Sequence, residues 1–454
     1  MTTRLIAIGG VAAGMSAAAK ARRTNRDLEV VVYERSSYIS YAACGMPYLI
    51  AGDIASADEL IQRTPAQMAR QGVQVQVRHE VMAIDPRSGS LTVRDLEGGR
   101  EFRQHYDKLI IATGARPVEP DVPGWDAASA GSPPLEGVLG LRTLESGLAV
   151  QRYIEEHRPQ RAIVLGGGYI GVEMTETLQR LGLEVTMVIR SGQVLRSSLD
   201  DDLREPVHAA LQNHGVKIVT GTPVAFEGRS RIEAMATAEG SLPCDLILLG
   251  LGAKPNVALA QAAGVALGAT GGIATDEQMR TNLPGVYAAG DCTEALHRVT
   301  GQPAHIPLGS TANKQGRVAG TNAGGGEARF GGIVGTMTVR CFDLAVSSTG
   351  LTAAEARWLG YEVETTSIKA KDISHYFPGA SDMHVRLIIE TGSGRLLGGQ
   401  IVGQQAVAKR IDTLATALHN HMTIEELQQL DLAYAPPFAP AWDPIIVAAN
   451  VAAK

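Results

Sequence analysis

The chain contains the same strand–glycine loop–helix pattern twice, and this restricts its fold more than any other feature of the 454 residues. In the first copy, an apolar run at residues 5–8 leads through a loop to an alanine-rich helix expected at about residues 15–23. The loop places small residues at four positions: Gly9, Gly10, Ala13 and Gly14. Small residues let a loop backbone approach a pyrophosphate, and the helix N-terminus adds N–H groups and a positive dipole. The pattern predicts a dinucleotide-binding α/β unit.

An acidic residue follows the next strand of this unit. The strand is expected at residues 30–33 and leads to Glu34 and Arg35, about twenty positions beyond the loop. A carboxylate at this place suits the two hydroxyls of a ribose. Val11 replaces the middle glycine of the usual G-x-G-x-x-G, which weakens the motif taken alone. The strand context and Glu34 restore the assignment. A glycine-rich turn used only for helix–strand packing is the alternative.

The second copy has the complete G-x-G-x-x-G after an apolar strand at residues 161–165. Its loop residues are Gly166, Gly168, Tyr169, Ile170 and Gly171. The following strand, expected at residues 183–189, leads to Arg190 instead of an acid, and Arg196 lies six positions further on. Guanidinium groups bind the 2′-phosphate that a carboxylate would repel. We therefore predict NADPH in preference to NADH; ordinary solvated charges are the alternative.

Two further segments belong with the first loop. An apolar strand at residues 108–111 leads to a turn formed by Ala112, Thr113 and Gly114, and residues 281–291 end in Asp291. An Asp at such a strand end can accept hydrogen bonds from a polyol chain such as ribityl, or can serve only as a turn residue. These segments lie on both sides of the second copy. We therefore expect the first nucleotide unit to be split, with the second unit inserted.

Cys44 is a lone cysteine shortly after the first unit. The position five residues on, where a two-cysteine redox loop would close, is Leu49. We interpret Cys44 as a thiol that exchanges electrons with a flavin and takes its disulfide partner from the substrate. The thiolate is the reactive form, so Cys44 needs a lowered pKa, which a helix N-terminus would favour. The other cysteines, interpreted as buried and inert, show neither CxxC spacing nor a metal-ligand cluster: Cys244, Cys292 and Cys341.

Bulk composition argues against several other classes of function. The formal net charge of −6 gives no reason to expect nucleic acid or an anionic membrane as a partner. No apolar stretch approaches the ~18 residues of a membrane span, and the first strand is too short for a signal sequence. We expect a soluble, cytoplasmic protein.

Glu34, the turn at residues 112–114, the second loop and Asp291 resemble the flavin-dependent pyridine nucleotide–disulfide reductases, over essentially the whole chain. The Cys44 segment is similar to their single-cysteine branch: coenzyme A-disulfide reductases, NAD(P)H oxidases and peroxidases, and persulfide reductases. The resemblance implies an α/β fold with two Rossmann-like dinucleotide-binding domains and an α+β C-terminal dimerisation domain. The expected limits are residues 1–115 and 248–325 for FAD, 116–247 for NADPH, and 326–454 for dimerisation.

The C-terminal region has its own local pattern. Apolar runs at residues 385–389 and 396–402 flank Thr391–Gly394, which predicts a β-hairpin. Helical periodicity follows at about residues 409–419 and 423–430. This mixture fits the α+β domain that the resemblance implies.

The resemblance also implies a substrate site shared between two subunits. Tyr376 and Tyr434 match segments that coenzyme A-disulfide reductases bring to the partner's cysteine, where a phenol can protonate a departing thiolate. Interface tyrosines without a chemical role are the alternative. Four residues match coenzyme A contacts of the family, and the first three share one helix face: Ser16, Lys20, Arg23 and Ser40. Ala43 and Trp442 depart from the family pattern, which has an Asn and a Lys there.

The resulting hypothesis is an FAD-dependent homodimer in which NADPH reduces coenzyme A disulfide, or a related small disulfide or persulfide. Cys44 would form a mixed disulfide with coenzyme A. One alternative is an NAD(P)H oxidase in which Cys44 cycles through a sulfenic acid. The other is a redox-sensing flavoprotein with low turnover. A peroxidase is less favoured because Ala12 stands where peroxidases of the branch carry a His.

Overall fold

The computed structural model describes residues 2–125 and 135–453. Residues 2–117 alternate strands and helices around the first glycine loop. Their elements are β1 (Arg4–Ile8), α1 (Ala12–Thr24), β2 (Glu29–Tyr33), α2 (Met46–Ile50), α3 (Pro65–Arg70), β3 (Val73–Gln76), β4 (His79–Asp85), β5 (Ser90–Asp95), β6 (Glu101–His105), β7 (Lys108–Ile111) and β8 (Ala115–Pro117). Short 3₁₀ turns at Ala43–Gly45 and Ala57–Leu60 flank α2.

The middle of the chain repeats this alternation around the second glycine loop. Its elements are β9 (Val138–Gly140), α4 (Leu144–His157), β10 (Arg161–Leu165), α5 (Tyr169–Arg180), β11 (Glu184–Ile189), α6 (Asp201–Asn213), β12 (Lys217–Thr220), β13 (Ala225–Gly228), β14 (Ile232–Thr237), β15 (Gly240–Pro243), β16 (Leu246–Leu249) and β17 (Ala253–Pro255).

The last part of the chain closes the first unit and adds a third one. Its elements are α7 (Ala258–Ala262), β18 (Val286–Ala288), β19 (Ala295–Leu296), β20 (Pro303–Ala304), α8 (Gly309–Ala323), β21 (Met337–Cys341), β22 (Leu344–Gly350), α9 (Ala353–Trp358), β23 (Val363–Lys371), β24 (Asp382–Glu390), β25 (Leu396–Gly403), α10 (Val407–His419), α11 (Ile424–Gln428) and α12 (Pro444–Ala452).

Three five-stranded sheets organise these elements. The first is parallel, in the order β18-β7-β1-β2-β3, and the second is parallel, in the order β12-β11-β10-β16-β9. The third is antiparallel, in the order β21-β22-β25-β24-β23. Strand β18 pairs with β7 in the first sheet, although all strands of the second sheet lie between them in the sequence. The first unit is therefore split, as predicted. The domain limits stay a prediction; the one at residue 247 falls inside β16.

Small residues bring the two long helices of the first unit into close contact. A Cβ atom on Gly316 or Gly320 of α8 would overlap the backbone carbonyl oxygen of Ala13 or Ala17 of α1. The alanine-rich composition of α1 therefore serves a helix–helix contact as well as helix propensity. This contact covers one face of the first sheet and holds the N-terminus of α1 beside the glycine loop.

The local elements agree with the sequence patterns, apart from small shifts at their ends. Helix α1 begins at Ala12, earlier than expected, because the alanines of the loop already adopt helical geometry. The hairpin of β24 and β25 forms as predicted, with Leu387 opposite Gly399. Helix α11 begins after Thr423, whose hydroxyl accepts a hydrogen bond from the Glu426 backbone N–H in a capping box.

Candidate functional site

The first glycine loop is closed by glycine-specific contacts. Gly9 has a φ of 105°, and a Cβ atom there would overlap the carbonyl oxygen of Ala112. A Cβ on Gly14 would overlap the carbonyl oxygen of Gly9. The helix start, the loop and the turn after β7 therefore pack closely against one another, mainly through backbone atoms, as the motif requires.

The N-terminus of α1 is open to an anion. Val11, its N-cap, makes no side-chain capping hydrogen bond, and no acidic residue lies in the first turn. Glu34 is buried beside the loop, where its carboxylate accepts hydrogen bonds from the Gly10 N–H (2.6 Å) and the Ser36 N–H (2.8 Å). Arg35 points to solvent. Uncapped N–H groups for a pyrophosphate and a fixed carboxylate at the end of β2 fit the adenosine half of a flavin dinucleotide.

The turn after β7 and the segment after β18 lie next to this loop. Thr113 donates to the backbone oxygen of Asn256 (2.7 Å), and no atom lies within 4 Å of the Cβ position of Gly114. The Asp291 carboxylate forms an ion pair with the Arg142 guanidinium. Arg142 Nε also donates to the backbone oxygen of Ala115 (3.3 Å). The part of Asp291 in holding a ribityl chain stays a prediction.

The second loop repeats the geometry of the first. Gly166 has a φ of 114°, and a Cβ atom there would overlap the Gly250 carbonyl oxygen. A Cβ on Gly171 would overlap the carbonyl oxygen of Gly166. Gly168 is the N-cap of α5 without a side-chain cap, and nothing lies within 4 Å of its Cβ position. The backbone at this helix start therefore faces open space in which phosphate oxygens fit.

The residues around this second loop lie as the sequence predicts. Tyr169 and Ile170 form the first turn of α5, and the Tyr169 hydroxyl lies 3.4 Å from the Ser348 hydroxyl. Arg190 directly follows β11, and both Arg190 and Arg196 are exposed. Within the described part of the chain, neither arginine has a recorded hydrogen bond or ion pair. Both guanidinium groups are therefore available to an incoming anion.

Cys44 lies in the 3₁₀ turn that leads into α2, between the two loops. Its segment is tied to the first loop by the Ser40 N–H, which donates to the Gly10 carbonyl oxygen (2.8 Å). It is tied to the helix that follows the second loop by Thr177 of α5, which donates to the Pro47 carbonyl oxygen (3.1 Å). Pro47 occupies the first turn of α2, as expected. Cys44 is exposed, whereas the other three cysteines are fully buried.

The ionisation of Cys44 departs from expectation. The sequence interpretation requires a lowered pKa, but the protein groups alone raise the pKa of the Cys44 thiol. Desolvation by the surrounding protein atoms is the largest cause, Glu173 adds to it, and Arg142 opposes it. Exposure of the residue and desolvation of its thiol are compatible because part of Cys44 faces solvent and the rest lies against protein. Helix α2 has only five residues, so its dipole offsets little of the effect.

Three charged or polar residues near Cys44 were not predicted from the sequence, because they belong to no recognisable motif. Tyr48 lies one turn after Cys44, and its hydroxyl donates to Glu173 Oε1 (3.2 Å). Burial raises the pKa of Glu173 to about 7 and that of Tyr48 to about 12. Arg142 lies in the loop before α4. In the sequence, the only feature that could have pointed to one of these residues is the position of Glu173, two residues after the second G-x-G-x-x-G.

Tyr376 and Tyr434 lie together on the surface of the third unit. They are 65% and 52% exposed. Hydrogen bonding with Tyr434, and also with Ser374, lowers the pKa of Tyr376, and the same contact raises the pKa of Tyr434. Two segments far apart in sequence thus present a pair of phenols to solvent. Whether they face the partner's Cys44 stays a prediction.

The predicted substrate residues line the outer side of the first unit. Ser16 of α1 donates to Asn313 Oδ1 of α8 (2.6 Å), and Arg23 is exposed. Lys20 lines a groove of about 620 Å³ together with Lys314 and Arg317. Ser40 lies between the first loop and Cys44, with a φ of 47°. The groove is rich in cations, which suits a phosphorylated ligand.

Two family models together cover most of the sequence. Residues 3–316 match the pyridine nucleotide-disulphide oxidoreductase model, and residues 336–444 match the dimerisation domain of the same family. The chain belongs to the pyridine nucleotide-disulphide oxidoreductase family. It is therefore an enzyme of the flavoprotein oxidoreductase type, and its family uses FAD and NAD(P)H, both of which fit the two loops described above. The dimerisation-domain match indicates a homodimer.

Relatives in this family align over nearly the whole chain. The NAD(P)H coenzyme A polysulfide/persulfide reductase of Pyrococcus horikoshii is 37% identical over 99% of this chain and 98% of its own length. An NADH oxidase of Methanocaldococcus jannaschii is 35% identical, over 99% of both chains. A coenzyme A disulfide reductase of Staphylococcus haemolyticus is 29% identical, over 96% of both.

Solved structures of the family superpose closely. Reduced CoADR-RHD of Bacillus anthracis has a TM-score of 0.95 and 33% identity, and the match covers 100% of this chain and 80% of that one. An engineered water-forming NADPH oxidase with bound NADPH has a TM-score of 0.94 and 28% identity, over 99% and 98%. These matches confirm the predicted oxidoreductase fold. Among the residues that the structure describes, no helix is both long and apolar enough to cross a membrane.

Proposed function

We propose that this oxidoreductase uses NADPH and FAD to reduce coenzyme A disulfide, or a related small disulfide or persulfide, through Cys44. The observation that carries this proposal is the position of Cys44. It is the one exposed cysteine among the four, and hydrogen bonds tie its segment to the first nucleotide loop and to the helix that follows the second loop. A thiol without a second cysteine can form a disulfide only with a sulfur from outside the chain.

Different parts of the chain have different roles in this proposal. Bound FAD would pass an electron pair from the nicotinamide to the disulfide. The uncapped starts of α1 and α5 would hold the two pyrophosphates. Cys44 would attack the incoming disulfide, form a mixed disulfide and release one thiolate. Cleavage of that mixed disulfide by two electrons would then return the Cys44 thiolate and release the second substrate thiolate.

The preference for NADPH rests on a match of residue types and spacing. The engineered NADPH oxidase is named with five substitutions. Four of them replace an Asp by Ala, introduce Arg and Ser at the next two positions, and place a second Arg six positions after the first. The same spacing occurs here at Ile189, Arg190, Ser191 and Arg196. Two unpaired guanidinium groups beside the loop support binding of a 2′-phosphate.

Coenzyme A as the substrate is supported by the cationic groove and by the relatives. Two of the relatives are named for coenzyme A, one as a disulfide reductase and one as a persulfide reductase. Lys20, Lys314 and Arg317 line the groove on the side of α1 and α8. Three cations would bind the nucleotide phosphates of coenzyme A through charge-assisted hydrogen bonds. The paired hydroxyls of Tyr376 and Tyr434 would reach the partner subunit's active site in the homodimer.

The test is anaerobic consumption of NADPH by the FAD-loaded enzyme, with coenzyme A disulfide, with coenzyme A persulfide and without an acceptor. We expect turnover with at least one coenzyme A substrate, and loss of that turnover in Cys44→Ser. Turnover with oxygen alone would contradict the proposal and favour the NADH oxidase activity for which one relative is named. No turnover with any acceptor would favour a redox sensor. The cytoplasmic location stays a prediction from the cysteine content.

A further inference from the structure

A cluster of ionisable side chains connects Cys44 to the helix of the second loop. Cys44 and Tyr48 lie one turn apart, in the 3₁₀ turn and in α2. The Tyr48 hydroxyl donates to Oε1 of Glu173, which lies in α5 directly behind the second glycine loop. The hydrogen bond therefore joins the cysteine segment to the helix that begins the second nucleotide site.

The surroundings of this hydrogen bond fix the tyrosine and leave one carboxyl unpaired. Arg340 of β21 places its Cζ 4.9 Å from the centre of the Tyr48 ring. The same guanidinium pairs with Glu176 Oε1 at 2.7 Å, and Glu176 is only 5% exposed. Within the described residues, Glu173 has no ion pair, and Tyr48 is its only recorded hydrogen-bond partner. Glu176 thus has its counter-ion in Arg340, whereas Glu173 does not.

Glu173 is consequently the carboxyl of the cluster that binds a proton near neutral pH. Burial, the largest effect, and the charge of Glu176 together raise its pKa to about 7, against the opposing effects of Tyr48 and Arg340. In turn, the ionised form of Glu173 raises the pKa of Cys44, which also faces Arg142 and Asp291. Repulsion is mutual, so a thiolate at Cys44 favours the protonated form of Glu173.

Reduction of the Cys44 disulfide by a hydride leaves one proton, which some group must bind. A hydride consists of two electrons and one proton. The two electrons break one S–S bond and give two thiolates, and the proton is left over. A second proton from solvent is required before both products are thiols. We propose that Glu173, held by the Tyr48 hydroxyl, takes up the proton left when the Cys44 disulfide is reduced and gives it up to solvent when the charge on Cys44 is lost in the next disulfide.

This inference rests on the proposed function only in that Cys44 is the redox cysteine; it does not depend on the identity of the substrate. Glu173 acts on Cys44 through its charge, not by contact with a substrate. Its signature is therefore a pH profile. A carboxyl that serves only to hold Tyr48 in place would change the reactivity of Cys44 equally at every pH.

The test is the rate of Cys44 alkylation by iodoacetamide in the reduced, FAD-loaded enzyme, between about pH 5 and pH 9. We expect Glu173→Gln and wild type to react equally fast below about pH 6, where Glu173 is already neutral. Above about pH 8 the variant should react about tenfold faster, because the like charge beside the thiolate is gone. A ratio between the two proteins that does not change with pH would overturn the proposal.

Two further variants keep this test decisive. Tyr48→Phe keeps the ring under Arg340 but removes the hydrogen bond that lowers the pKa of Glu173. We expect it to move the inflection due to Glu173 to higher pH, and an unchanged profile would contradict the proposal even if Glu173→Gln fails to fold. Glu355→Gln is the control, since desolvation also raises the pKa of Glu355, which is exposed and lies in α9 of the third unit. It should leave the profile unchanged.

A second measurement counts the proton directly. The FAD-loaded enzyme, with Cys44 in a mixed disulfide with a small thiol, is reduced by one equivalent of NADPH in a weakly buffered solution that contains a pH indicator. Near neutral pH we expect wild type to release fewer protons than Glu173→Gln, because Glu173 retains part of the proton from the hydride. Equal release would contradict the proposal. If Cys44→Ser retains full coenzyme A disulfide turnover, the proposed function fails instead, and the two failures are thereby distinguished.

Discussion

At the scale of single residues, exposure separates Cys44 from the other cysteines. Cys244, Cys292 and Cys341 are completely buried, and burial raises the pKa of each thiol, to about 12 for Cys244 and Cys341. Cys44 is exposed, in a segment that is hydrogen-bonded to the first nucleotide loop and to helix α5. Sequence context had already set Cys44 apart, because no second cysteine lies within reach along the chain, and its redox role stays a prediction. The sequence did not indicate that the nearby carboxyls oppose its ionisation.

Cys44→Ser tests the residue that carries the proposal. We expect coenzyme A disulfide turnover to fall by at least about a thousandfold, as when a nucleophile is removed. Reduction of the bound FAD by NADPH should persist, because the two nucleotide loops are unchanged. Stopped-flow absorbance of the flavin measures this first step separately from turnover. Substantial remaining turnover would show that another group carries the chemistry.

Arg190→Ala and Arg196→Ala test the choice of dinucleotide. Each variant should lower kcat/KM with NADPH by about tenfold or more, because a charge-assisted hydrogen bond to the 2′-phosphate is lost. The value for NADH should stay unchanged, since NADH lacks this phosphate. Arg152→Ala, an exposed arginine of α4, is the matched control. A wild-type enzyme that prefers NADH would contradict the NADPH assignment.

At the scale of elements, glycine placement decides how the helices meet. The sequence patterns predicted α1, the hairpin of β24 and β25, and the helices α10 and α11, because periodicity and capping are local signals. The contact of α1 with α8 joins residues about three hundred positions apart and has no local signal. Its basis is the absence of a Cβ at Gly316 and Gly320.

Gly320→Ala tests this helix contact. The added Cβ would overlap the Ala17 carbonyl oxygen, so we expect the free energy of unfolding to fall by about 1–3 kcal/mol. The control is Gly309→Ala in the same helix, because nothing lies within 4 Å of its Cβ position. Calorimetric unfolding of the FAD-loaded enzyme should show a lower midpoint for Gly320→Ala alone. Equal midpoints would mean that α1 and α8 can move apart around the added Cβ atom without a loss of stability.

At the scale of the whole molecule, hydrogen bonds and ion pairs hold the third unit on the second. Asp200 before α6 pairs with Arg386 of β24 (3.2 Å), and its N–H donates to Gln400 of β25 (2.8 Å). Arg340 of β21 reaches both Glu176 and the Tyr48 ring. The third unit therefore contributes to the surroundings of Cys44 within one chain, apart from any contact across the dimer.

Subunit mixing tests whether the site is also shared across the dimer. Cys44→Ser and Tyr434→Phe homodimers, inactive or slowed alone, are mixed under conditions of subunit exchange. We expect activity to rise to about a quarter of wild type, because half the dimers are mixed and one of their two sites is intact. Mixing Cys44→Ser with itself is the control. Absence of any rescue would place the whole site in one chain.

The sequence by itself determined the fold class, the two nucleotide loops and the exceptional cysteine. Each depends on residues that are close in the chain, where the steric demands of a tight turn or a helix start leave few choices of side chain. Only the tertiary structure decided what surrounds Cys44. Tyr48, Glu173, Arg142 and Arg340 come from separate segments, and the effects of burial and charge depend on distances that chain order does not fix.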